Sequence, residues 1–217
     1  MTFYDPKYEE DLNSTDVSAE SRAKKEYIQK FFRSLALCHD TIPERIDGKI
    51  RLSASNPDDE ALVCAATYFG FEFKDRHEKY AILQNTHTAS EERVEMLETI
   101  GFTSKRKRMS VIIRDIDGVI KMIIKGADST MIPRLATGQE SIFELTDAHM
   151  RQYAVEGMRC LVVGEKIIPE AEYESWHRRY LGALTNLTEV EKRKNGESNE
   201  IDNLEDAMEQ GYPTLII

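Results

Sequence analysis

Met109-Ser-Val-Ile-Ile-Arg-Asp-Ile116 and Val119-Ile-Lys-Met-Ile-Ile-Lys125 are two β-branched, apolar runs separated only by Asp117-Gly118. Asp-Gly tolerates the positive φ angles of a two-residue type I′ turn, so the pair predicts an antiparallel hairpin. In that register Ile116 faces Val119, and counting back puts Ser110 opposite Lys125 on one sheet face. Upstream, residues 71–76, 79–85 and 94–102 have strand character, and residues 160–168 supply another strand downstream.

Helices bracket this sheet. Tyr27, Ile28, Phe31, Phe32 and Leu35 recur at helical spacing and predict a helix of about five turns. After the turn-rich residues 41–48 and a short strand over 49–55, Asn56-Pro57-Asp58-Asp59-Glu60 has the cap, first-turn proline and early acids of a helix start. Ala61, Leu62, Ala65, Ala66 and Phe69 form its expected buried face, and Gly70 closes it. Thr146 is the expected cap of a helix that stops at Gly157. Pro169 opens another, with Tyr173, Trp176 and Tyr180 inward. The charged residues 189–210, broken by Lys194-Asn195-Gly196, predict a helix, a mobile loop and a second short helix. The class is α+β (mixed α/β): a twisted, mainly antiparallel sheet flanked by helices on both sides, in a single domain over 1–217. Residues 1–16 and about 189–200 are its expected flexible stretches.

Composition narrows the function. The chain of 217 residues has 29 Lys+Arg against 39 Asp+Glu, a net charge of −10, with 41% hydrophobic residues. That fills a core but disfavours broad contact with nucleic-acid phosphate or anionic lipid. No apolar stretch has the length of a membrane helix, and the start lacks the pattern of a secretory signal. Cys38, Cys64 and Cys160 are odd in number, widely spaced and without CxxC, and the five histidines lack ligand spacing. Reduced core thiols and no resident metal are expected. The triplets at Asn13 and Asn186 are taken as chance.

No GxxxxGK[ST], GxGxxG, kinase catalytic loop or serine elbow is present, so a bound nucleotide must be held by its base. Four segments stand out in order: Asn56-Pro57-Asp58-Asp59, Phe102-Thr103-Ser104-Lys105-Arg106-Lys107-Arg108-Met109-Ser110-Val111, Lys125-Gly126-Ala127-Asp128, and Glu156-Gly157-Met158-Arg159. At these residues the chain resembles the nucleotide-binding (N) domain of P-type ATPases, in the phospholipid-flippase branch (type IV), whose pattern is SPDE, FTSxRKRMSV, KGAD, EGLR. Phe3-Tyr4-Asp5, Leu35-Ala36-Leu37-Cys38-His39, the Trp176–Tyr180 helix and Thr214-Leu215-Ile216-Ile217 are similar to flippase features as well.

The resemblance implies an ATP-binding domain that presents the γ-phosphate to an aspartate elsewhere in a parent transporter. It puts adenine against Phe102, brings Lys107 and Lys125 to the nucleotide, sets Arg159 on its ribose or phosphate side, and includes Ser104 and Gly126 in the same motifs. Asp59 takes the acidic position near the adenine amino group, one methylene shorter than the family's Glu and with Glu60 beside it. The phosphorylated aspartate, its DKTG motif and the magnesium ligands belong to other domains, so Mg2+ is expected only with the complete transporter and this chain alone is expected to show no turnover. The implied partners are ATP and the phosphorylation and actuator domains of the same parent chain. The implied place is the cytoplasmic face of a membrane that the chain meets only through its parent. The isolated domain is expected to be a monomer without nucleic-acid partners.

A base stacked on an aromatic ring contributes about 1–3 kcal/mol, and a hydrogen bond to a charged group about 1.5–3 kcal/mol. Association opposes these by about 4–15 kcal/mol, which leaves binding of roughly micromolar to millimolar strength. Ser110 and Phe102 lie eight residues apart, about 26 Å if extended, so a shared pocket requires a turn within residues 103–107. Plainer readings stand beside these. Phe102 could be core, Lys105 to Arg108 a solvated run, Asp59 a helix-start acid, Lys125 solvated, and Arg159 a partner for helix carbonyls. Two rival functions are an interaction domain of the same fold that has lost the nucleotide, and RNA binding through Lys105 to Arg108 with steep salt dependence.

Overall fold

The computed structural model describes residues 6–46, 49–53, 56–211 and 214–216. Helices α1 (Pro6–Asn13) and α2 (Ala19–Leu37) lead into a separate hairpin, β1 (Ile42–Ile46) and β2 (Lys49–Ser53), then α3 (Pro57–Tyr68). The main sheet follows as β3 (Phe71–His77), β4 (Tyr80–Asn85), β5 (Ser90–Ile100), β6 (Arg108–Arg114) and β7 (Ile120–Gly126). After α4 (Asp128–Met131), a 3-10 turn (Ile132–Arg134) and α5 (Glu140–Val155) come β8 (Val162–Ile167), α6 (Glu170–Thr185), α7 (Leu187–Lys194), α8 (Glu200–Met208) and β9 (Thr214–Ile216). The seven main strands lie in sequence order, each antiparallel to its neighbour.

Alternation along the strands sends side chains to two separate cores. Phe73, Leu83, Val111, Ile113 and Ile123 face α2 and α3, where Phe32 and Phe69 stack at 4.2 Å. Met122, Ile124 and Ile112 face α6 and α8, where Trp176, Tyr180, Leu204 and Met208 are buried and Trp176 donates to the Leu204 carbonyl at 2.9 Å. Helices therefore cover both faces of the sheet. Each such fully buried large side chain contributes about 1.5–3 kcal/mol, which makes these two layers the main source of stability.

Local chemistry starts the helices. Ser18 accepts from Ser21 N at 3.2 Å and begins α2, and Asn56 accepts from Asp58 N at 3.1 Å before Pro57 in α3. Asn186, in one of the glycosylation-type triplets, caps α7 by accepting from Thr188 N.

Three expectations are corrected. Residues 42–46, read as part of a turn-rich stretch, pair with 49–53 as β1 and β2. Thr146 does not cap α5: the helix begins at Glu140 after Gly138, and the Thr146 hydroxyl donates to the Ile142 carbonyl at 2.7 Å inside it. The β6–β7 turn spans Asp115 to Gly118, with Gly118 N donating to Asp115 O at 2.8 Å, Gly118 at φ +80°, and Asp115 N donating to Val119 O at 3.0 Å. This is a type I turn closed by a glycine bulge, one residue longer on the Asp115 side than a two-residue turn. The register shifts by one, so Lys125 pairs with Met109 and Ser110 with Ile124. Ser110 and Lys125 consequently face opposite sides of the sheet. Phe3-Tyr4-Asp5 and Ile217 lie outside the described residues.

Candidate functional site

Between β5 and β6 the chain turns back over residues 101–107. Lys107 N donates to Thr103 O at 2.7 Å, Arg106 N donates to the Thr103 hydroxyl at 3.1 Å, and Lys107 takes φ +52°. A left-handed non-glycine residue is strained, and here surrounding bonds hold it. This is the turn that a shared pocket requires. Phe102 is 56% exposed at its start, Ser104 and Lys107 are exposed, and Lys105 is drawn to Asp202 at 3.0 Å. The reading of Phe102 as core is thus excluded.

The basic run is not a solvated face either. Lys105 and Lys107 point outward, but Arg106 and Arg108 are buried, at 7% and 6% exposure. Arg106 donates to the Gly101 carbonyl at 2.7 Å and to the Glu209 carboxylate, with its Nε 3.3 Å from Glu205. Arg108 Nε meets Glu209 at 2.5 Å and its far nitrogen meets Asp206 at 3.0 Å. Ser110 donates to Glu209 from the next inward position. Two of the four charges are therefore withdrawn from any nucleic-acid surface. These arginines were missed as structural residues because the sequence shows a basic tetrapeptide, whereas the acids that bury them lie about a hundred residues on.

Gly126 brings β7 against the same turn. A Cβ there would sit 2.5 Å from Arg108 Cβ and 2.8 Å from the Lys107 carbonyl, so a side chain has no room. Ala127 N donates to the Lys107 carbonyl at 3.0 Å just beyond. Lys125 points to the other face, where its ammonium meets Asp59 Oδ1 at 2.6 Å with side-chain exposures of 5% and 7%. Asp59 also accepts from Asp40 N at 3.4 Å. Asp59 is thus neither a plain helix-start acid nor open to solvent, and Lys125 is not a solvated lysine. Each is the other's buried counter-ion.

Beneath this pair lie His39 and Cys38. His39 Nδ1 accepts from Thr41 N at 3.1 Å and Nε2 lies 2.9 Å from the Ala36 carbonyl, an arrangement only the neutral ring satisfies. Burial, then the Arg76 and Lys125 cations, hold its pKa well below the ordinary range. Burial pushes the Cys38 thiol up to about 11, which leaves it inert.

Arg159, exposed after Gly157, turns to Asp58 Oδ1 at 2.7 Å rather than to the carbonyls of α5. Both line the rim of a cleft of about 1100 Å³ whose walls include Phe31, Leu35, Leu62, Met150, Tyr153 and Leu161. Neither Phe102 nor Lys125 lines it. The structure thus joins Lys107 to the strand end at Gly126, Asp59 to Lys125, and Asp58 to Arg159, with adjacent Asp58 and Asp59 linking the last two pairs through the start of α3. Phe102 stands on the turn outside the cleft. Among the described residues, no cluster of three or more His, Cys, Asp or Glu could hold a metal ion, and no helix is long and apolar enough to cross a membrane.

Comparison with known proteins adds to this geometry. Residues 27–208 match the family model for the P-type ATPase cytoplasmic domain N. A phospholipid-transporting ATPase of Schizosaccharomyces pombe is 33% identical, with all of this chain and 16% of that protein covered. Phospholipid-transporting ATPase 10 of Arabidopsis thaliana is 39% identical over 75% of this chain and 14% of its own length. Phospholipid-transporting ATPase ID of Homo sapiens is 35% identical over 88% and 16%. The chain spans only 14–16% of the length of these relatives.

Proposed function

The chain belongs to the family of P-type ATPase cytoplasmic N domains, and on that premise we propose that it binds ATP by stacking the adenine on Phe102 and presents the phosphates to another domain of a phospholipid-transporting parent. The observation that carries this reading is the Phe102 ring: a large aromatic left 56% exposed on a turn that buried arginines fix from below. An exposed ring on a rigid mount suits a flat partner. Lys107 beside it offers a phosphate or ribose contact, and Arg159 supplies a second cation once it leaves Asp58.

Lys125 has a different part in this reading from the one its motif implies. It neutralises Asp59 and so fixes the start of α3, from which Asp58 holds Arg159. Asp59 then supports the site from beneath. Gly126 allows the turn to close on β7, and Ser104 stands exposed on the turn's outer side. Mg2+ would arrive with the nucleotide in the complete transporter.

The test is a backbone-amide NMR titration with ATP, GTP and a short RNA at two salt concentrations. ATP should shift amides around Phe102, Lys107 and Arg159 more than GTP does. Phe102→Ala should weaken ATP roughly five- to 150-fold, the equivalent of about 1–3 kcal/mol of stacking. Shifts confined to Lys105 and Lys107 with RNA would favour nucleic-acid binding, and silence with every ligand would leave an interaction domain.

A further inference from the structure

The turn that carries Phe102 and Lys107 is held by a residue more than a hundred positions away. Glu209 follows α8 as its C-cap and is fully buried at 0% exposure. Its two carboxylate oxygens accept from Arg106, Arg108 and Ser110. Arg106 carries that anchor to the first leg of the turn by donating to Gly101 O at 2.7 Å, directly before Phe102. Arg108 carries it to the second leg by donating to Arg106 O at 2.9 Å, directly before Lys107. Asp206 and Glu205, one helical turn before Glu209, add further carboxylates: Asp206 bonds Arg108 at 3.0 Å, and Glu205 lies 3.3 Å from Arg106 Nε without a hydrogen bond to it, while Arg193 and Arg134 balance their charge.

We infer that Glu209 is a positioning residue for the nucleotide site: through Arg106 and Arg108 it sets the conformation of residues 101–107, so that docking of α8 and binding at Phe102 are thermodynamically coupled. Neither arginine reaches the ligand side. A carboxylate that bridges two guanidinium groups and a hydroxyl fixes distance and orientation together, because both forks are planar. Removing its charge leaves two buried cations competing for fewer acceptors, and the turn, already strained at Lys107, is the weakest segment that can relax. Reciprocity then requires that a ligand on Phe102 stabilise α8 in its docked position.

Glu209→Gln and Arg106→Lys in the 217-residue chain test this, with Met208→Ala as the control that loosens α8 without touching the carboxylate. Both test variants should shift and broaden the 101–107 amides without nucleotide while those of β3 and β4 stay in place. They should also weaken ATP by about tenfold or more, the loss of one charged contact. Met208→Ala should lower the melting temperature and leave ATP affinity within about twofold, because the Glu209 contacts are kept and α8 stays docked in nearly all folded molecules, so the binding-competent fraction hardly changes. Unmoved 101–107 amides in Glu209→Gln, or ATP affinity equal to wild type, would overturn the inference. Should Glu209→Gln fail to fold, Arg106→Lys decides by the same two readouts. The affinity arm rests on the nucleotide reading. A wild-type chain that ignores ATP sinks that reading, while the amide arm still decides the positioning role.

Discussion

Asp59→Asn removes the charge that Lys125 faces and changes almost nothing else in size. The structure sets the magnitude. The ion pair is 2.6 Å long, its side chains are 5% and 7% exposed, and among the described residues the Lys125 ammonium has no second hydrogen-bond or ion-pair partner. An ammonium stranded in that position costs about 3–5 kcal/mol, and the surviving Asn carbonyl, still able to accept one bond, puts the expected loss near the lower end. For a chain of this size that lowers the melting temperature by roughly 6–20 °C. The single tryptophan, Trp176, is buried against α8 and reports urea unfolding by fluorescence. Lys125→Met on its own leaves a carboxylate buried and should cost a similar amount. The double variant Asp59→Asn/Lys125→Met leaves no charge behind and should be more stable than the sum of the singles by at least about 2 kcal/mol. Losses below about 1 kcal/mol, or single effects that simply add, would show that the pair is solvated and that the site's floor is not built this way.

Three further outcomes follow from the same contacts. Gly126→Ala puts a methyl 2.5 Å from Arg108 Cβ, so it should destabilise by about 1–3 kcal/mol and move the 101–107 amides; an unchanged urea midpoint would mean that β7 and the turn are not in close contact. His39 stays neutral when folded but takes a proton near pH 6.5 when unfolded, so the unfolded chain binds more protons and stability falls as pH drops below about 6.5, by about 1 kcal/mol between 6.5 and 5.5. Urea midpoints across that window, compared with His39→Gln, check the sign, and a flat difference would refute it. Phe102→Ala, which empties no core, should change stability by less than about 0.5 kcal/mol while weakening ATP as given above; a large loss of stability would make the ring structural.

Much of the fold was legible because its signals are local. The period of two over residues 71–125 and the helix-start chemistry at Asn56-Pro57 are read within short stretches, and the turn over 103–107 followed from distance once the motif resemblance required Phe102 and the hairpin to share a pocket. The hairpin register failed by one residue because Asp117-Gly118 also suits a longer turn in which glycine forms a bulge, and only Asp115 N bonding to Val119 O distinguishes the two. Thr146 misled because a hydroxyl that can cap a helix can also bond back within one. At the site, exposure of Phe102 was expected from its motif, but the division of Lys105 to Arg108 into two outward and two inward cations was not. That division depends on Glu205, Asp206 and Glu209 coming under the sheet, and no spacing in the sequence marks those three acids as partners of residues 106 and 108.

The distribution of charge explains how a chain of net charge −10 can serve as a site for an anionic ligand, and why the binding should be weak. At physiological salt, charges more than about 8 Å away are largely screened, so the overall acidity matters less than the few cations beside the ligand. In the proposed site those cations are mostly committed: Arg159 to Asp58 and Lys105 to Asp202. A phosphate that recruits Arg159 or Lys105 must displace a carboxylate, so the net gain is the difference between two ion pairs rather than one full contact. Lys107 has no such partner among the described residues and gives its interaction undivided. Selectivity in the proposed site then falls to the aromatic ring, which needs no counter-ion removed before it stacks. An anion-binding surface built from free cations would bind more tightly, but it would also attract any polyanion, which the paired arrangement avoids.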